Sequence, residues 1–101
     1  MSVAQEQINE WKVTHRYVYK LSLNGTDYYF RPINRDDYMS IQQKVASLGP
    51  TFDNELEVAK TGLLYPQLDE VELKVRAGVV GILSEKIMLR SGFQQVDDTE
   101  L

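Results

Sequence analysis

Cysteine is missing from all 101 residues of the chain. That absence excludes a disulfide framework, a thiolate nucleophile and a cysteine-based zinc site. Long apolar runs are missing as well, since none approaches the roughly 18 residues that a membrane span requires. The opening stretch MSVAQEQINEW lacks the basic-then-apolar order of a signal peptide. The expectation is a reducing, cytoplasmic place of work without a membrane partner. Acids outnumber bases, with a formal charge of −4, so nucleic acid is not expected as a generic partner.

Patterns that carry chemistry are equally scarce. Histidine occurs once, as His15, beside no acidic or nucleophilic motif, and it reads as a strand residue. Asp36-Asp37 suits the start of a helix and Asp97-Asp98 a solvated tail; neither has the ligand spacing of a calcium loop. The glycines of AGVVG, Gly78 and Gly81, fit neither dinucleotide nor P-loop spacing. Close packing of a helix against its neighbour is the simpler reading of that pair. No enzyme, metal or cofactor is expected.

What is present begins with LSLNGTDYYF, residues 21–30. Two runs alternate apolar and polar residues around Asn24-Gly25, the preferred pair for a two-residue type I′ turn. The implied register sets Leu23 against Thr26, Leu21 against Tyr28 and Tyr19 against Phe30. Tyr17, Tyr19, Leu21, Leu23, Tyr28 and Phe30 then share one face, and a one-residue slip would destroy that agreement. The opposite face carries Arg16, Val18, Lys20, Ser22, Asp27, Tyr29 and Arg31. Lys12, Arg16, Lys20, Arg31 and Arg35 gather around the hairpin, whereas acids dominate from Asp53 onward. This segregation fits either a solvated strand face or oriented association with a partner. Tyr29, between Lys20 and Arg31, is the one hairpin aromatic free to stack on single-stranded nucleic acid, a weak signal on an acidic chain.

Helical signals follow. Asn34 is a good N-cap with Asp37 three residues on, and Tyr38, Ile41, Val45 and Leu48 make a stripe that Gly49-Pro50 ends. A second helix starts near Thr51 or Asp53, buries Phe52, Leu56, Ala59 and Leu63, and ends before Pro66. QLDEVELKVR, residues 67–76, reads as loop or irregular helix. Ala77–Ser91 is a third helix, apolar around much of its girth, with Gly92 as its left-handed cap and Phe93 folding back on Met88. The expected fold class is α+β: an N-terminal antiparallel β-hairpin packed against about three α-helices. Residues 1–93 form the domain and 94–101 an acidic mobile tail. The hairpin face, the helix stripes and Trp11 either close one core or leave apolar surface for another chain, as the free strand edge of a hairpin also would.

YYFRPINRDDYMSI (28–41), LLYP (63–66) and AGVVGILSEKIMLRSGF (77–93) together resemble small bacteriophage tail proteins, especially the tail assembly chaperones. Arg31, Pro32, Tyr65, Pro66, Ala77, Gly78, Ser91, Gly92 and Phe93 match that pattern. QLDEVELKVR departs from it, being longer and more charged. The resemblance implies a non-enzymatic factor of the host cell cytoplasm that keeps the tape-measure protein soluble while tail-tube subunits assemble. A structural subunit of the virion tail, baseplate or hub is the alternative, and a second copy of the chain, in a homo-oligomer, is a further candidate partner. A nucleic-acid-mimicking inhibitor is disfavoured by the basic hairpin. A groove for an amphipathic helix is expected from Val79, Ile82, Leu83 and Met88, with Tyr29 and Arg31 contributed by the hairpin.

Overall fold

Asn24 and Gly25 both take positive φ, 53° and 80°, as the I′ turn demands. In this computed structural model, which describes residues 3–93 and 99–101, they join β1 (Tyr19–Leu23) to β2 (Thr26–Phe30). The pairs are Leu23–Thr26, Leu21–Tyr28 and Tyr19–Phe30, the register expected from the alternation. Tyr19 stacks on Phe30 with ring centroids 5.5 Å apart, and Tyr28 and Phe30 are buried. The chain is α+β.

The strand end is fastened by polar contacts. Asn34 caps α2 (Arg35–Leu48), and Asp37 returns a bond to the Asn34 N–H, which completes a capping box. Arg31 Nη1 donates to Asp37 Oδ2 at 2.8 Å. Burial alone would push the Asp37 carboxyl up, but its bonds from Arg31 and the Asn34 backbone outweigh it and hold the pKa below the ordinary value. A folded-state pKa below the unfolded one gives stability that is present above the unfolded value near ~3.9 and lost as pH falls through the folded value. Asp37→Asn should therefore cost about 1–2 kcal/mol at pH 7. The gap between variant and parent in urea midpoint should close towards acid pH, which a denaturation series over pH measures.

The helices supply the core. α2 ends at Gly49, and a 3₁₀ turn (Gly49–Thr51) leads to α3 (Asn54–Gly62), whose Asp53 cap accepts from the Leu56 N–H. α4 (Glu70–Lys74), capped by Asp69, precedes α5 (Ala77–Arg90). On α5, Val80, Leu83, Ser84 and Ile87 recur at helical spacing and are buried. Val80, Leu83 and Ile87 form one cluster with Ile41, Leu56, Val58, Ala59, Leu73, Ile33 and Phe30. Each Val, Leu, Ile or Phe among them contributes about 1.5–3 kcal/mol of burial. The Glu57 links to Lys44 and Lys60 contribute far less, being partly solvated. α5 ends as expected in a Schellman motif: with Gly92 at φ 92°, the Phe93 N–H bonds to Met88 O and the Gly92 N–H to Leu89 O.

Two features depart from the sequence-based expectation. Leu63–Tyr65 is not helical but forms β3, antiparallel to β2, so the hairpin is extended to a three-stranded sheet of order β1-β2-β3. An additional helix, α1 (Gln5–His15), precedes the hairpin and takes His15 out of the strand. Its Trp11 lies 5.9 Å from the Tyr29 ring, which gives the sheet a second covered face. Of the two readings of 67–76, loop or irregular helix, the helical one holds over Glu70–Lys74, where α4 buries Leu73 completely. The acidic tail expected at 94–101 lies outside the described residues at 94–98.

The junction between α1 and β1 is strained. Arg16 has φ 71° and ψ −49°, and the Tyr17 N–H bonds to His15 O at 2.9 Å. This is a γ-turn of the rare type, unfavourable for any residue with a Cβ. Arg16→Gly should therefore stabilise the fold by about 1 kcal/mol, read from the urea midpoint.

Candidate partner-binding surface

Helical geometry divides the third stripe of the sequence into two sides. Successive residues turn about 100°, so with Val80, Leu83 and Ile87 inward, Ile82 and Leu89 point outward. Ile82 is 37% exposed while Leu83 is 0% exposed. Val79 and Met88 are half-buried, Met88 against the core. The four residues expected to wall a groove thus divide between surface and interior. Leu83 is corrected to a core residue because the α3–α5 contact closes over it.

The two hairpin residues are corrected as well. Tyr29 is only 8% exposed, sandwiched between Trp11 and the edge of Tyr65, whose ring lies 6.4 Å away. It offers no face to a partner helix or a nucleobase. Arg31 is half-buried; besides its pair with Asp37 it donates to Pro32 O at 3.1 Å, so it closes the strand-to-helix turn.

Several residues of the quoted motifs meet at this turn. The Ser91 hydroxyl accepts from the Ile33 N–H at 2.9 Å and donates to Ile87 O, and the Phe93 ring packs 4.8 Å from Tyr38. Arg31, Ser91, Gly92 and Phe93 therefore fasten the end of α5 to the start of α2. The glycine pair of α5 does not behave as expected. A Cβ at Gly78 would meet nothing within 4 Å, and one at Gly81 only Glu55 Oε2 at 3.6 Å. Close approach belongs instead to Gly62, where a Cβ would lie 2.5 Å from Ile87 Cδ1 and 3.0 Å from Arg31 O.

Apolar surface remains uncovered outside this core. Val71 and Val75, one helical turn apart at α4, are 71% and 79% exposed. Ile82 and Leu89 lie on the outer side of the adjoining α5. An open groove of about 420 Å³ runs between α1 and β3, lined by Val3, Gln7, Trp11, Leu64 and Tyr65 among others. Sequence reading missed this groove because it missed α1, although Ile8, Trp11 and His15 stand at i, i+3 and i+7. The outer edge of β1 pairs with no other strand among the described residues. In the same residues, no group of three or more His, Asp or Glu side chains could hold a metal ion, and no helix is long and apolar enough to cross a membrane.

Comparison of the chain with protein-family models, curated proteins and solved structures finds no match.

Proposed function

We propose that this chain is a non-enzymatic phage tail assembly factor, a chaperone that binds tape-measure or tail-tube proteins through an apolar surface in the host cell cytoplasm. The observation that carries the reading is the exposure of four aliphatic side chains, Val71, Val75, Ile82 and Leu89, on α4 and α5. The interior is already closed by Leu73, Leu83 and Ile87 beneath them, so these residues are not required by the fold. Exposed aliphatic side chains on neighbouring helices favour contact with another polypeptide. The motif resemblance gives that polypeptide its class.

A second reading is a structural subunit of the tail, baseplate or hub. The unpaired edge of β1 favours it, since strand addition suits a permanent lattice. Co-expression with the tape-measure protein of the same genome, followed by mass spectrometry of purified particles, separates the two. An assembly factor keeps the tape-measure protein soluble and is missing from the particle. A structural subunit appears in the particle at fixed copy number, and failure of both would overturn the proposal.

A further inference from the structure

A second cleft, of about 330 Å³, opens where the ends of α1, β2 and α5 converge. Three arginines from distant parts of the sequence line it, Arg16, Arg31 and Arg90, together with His15. No aspartate or glutamate lines it, although the chain carries a net charge of −4. Asp37 neutralises Arg31 from the side at 2.8 Å. Arg16 and Arg90 have no carboxylate within ion-pairing distance among the described residues.

Both free arginines are nevertheless held in place. The Arg16 guanidinium lies 5.4 Å from the Tyr17 ring centroid and that of Arg90 4.5 Å from the Tyr19 ring. Packing over an aromatic face leaves the N–H fork of an arginine available for in-plane hydrogen bonds. Two neutral hydroxyls of the lining are already engaged: Ser91 bridges Ile33 and Ile87, and the Thr14 hydroxyl donates to Glu10 O. The arginine forks stand beside two further neutral donors of the lining, those of Tyr17 and Asn34. Arg16, moreover, is the residue held in the strained γ-turn. Strain of this kind concentrates at ligand sites.

We propose that this cleft binds a doubly charged oxyanion, a phosphate group that is either free or carried as a monoester on a small molecule. Arg16 and Arg90 would grip its oxygens as charge-assisted forks, with the Asp37-paired Arg31 and the His15 ring completing the wall. The inference stands apart from the partner-binding surface, which lies on other residues.

His15 is the only histidine, so its ring protons form a single pair of signals in a proton NMR spectrum. The test is a titration of the full chain with inorganic phosphate and, separately, with glycerol 3-phosphate, each against sodium chloride at matched ionic strength. Saturable movement of the His15 signals with either phosphate but not with chloride is expected. Saturation with both shows that a free group suffices, and saturation with the ester alone that the organic part is needed. Arg90→Gln and Arg16→Gly should each weaken binding at least tenfold, and Arg16→Gly should do so while raising the urea midpoint. Movement that is linear and chloride-like with both compounds, or saturation unchanged in both variants, would overturn the proposal.

Discussion

Gly62→Ala should destabilise the protein by about 2 kcal/mol, even though alanine is the better helix former by up to about 1 kcal/mol. The new Cβ would stand 2.5 Å from Ile87 Cδ1 and 2.9 Å from Ile87 Cγ1. Ile87 is fully buried within the core cluster, and the third neighbour, Arg31 O at 3.0 Å, is backbone. In a chain of this size the loss corresponds to roughly 10 °C in melting temperature. A double-mutant cycle identifies the cause. Ile87→Val alone should cost about 1 kcal/mol as a lost methyl group. Combined with Gly62→Ala it should recover part of the loss, because the removed Cδ1 is the nearest of the clashing atoms while Ile87 Cγ1 and Arg31 O stay close. The coupling should reach at least about 1 kcal/mol; simple additivity would show that α3 and α5 do not meet as described.

The second large effect sets two adjacent residues of α5 against each other. Leu83→Asp should abolish cooperative folding, because a carboxylate at a fully buried site with no cation beside it costs several kcal/mol. Total stabilities of small domains are only about 5–15 kcal/mol. Ile82→Asp, one position earlier but facing outward, should leave the far-ultraviolet circular dichroism unchanged and cost about 1 kcal/mol. The same substitution should weaken the proposed tape-measure binding at least tenfold. Equal damage from both substitutions would mean that α5 is buried on both sides and has no contact face to offer.

Much of the fold is legible in the sequence where local chemistry decides it. The Asn24-Gly25 turn fixes a register, the Asn34 and Asp53 side chains fix helix starts, and Gly92 fixes a helix end. Less is legible where tertiary contact decides. Leu63–Tyr65 continues a helical-looking run, yet the Arg31 N–H bonds to Gly62 O and draws the segment onto β2 as a strand. Tyr29 alternates onto the polar side of the hairpin, but Trp11 of α1 covers it. The candidate site suffers most from this. An apolar helix tells how many greasy residues it has, not which of them the neighbours cover, so Leu83 and Ile82 look alike until α3 is in place. The cationic cleft is hidden for a related reason: Arg16, Arg31 and Arg90 are neighbours only after the sheet and α5 have packed.

Isothermal calorimetry of the purified chain with the tape-measure protein, repeated at several temperatures, tests the central claim most directly. Burial of the outer side of α4 and α5 predicts saturable binding with a clearly negative heat-capacity change, weakened at least tenfold by Ile82→Asp. Absence of binding by the well-folded chain, or binding that Ile82→Asp leaves at full strength, would contradict it.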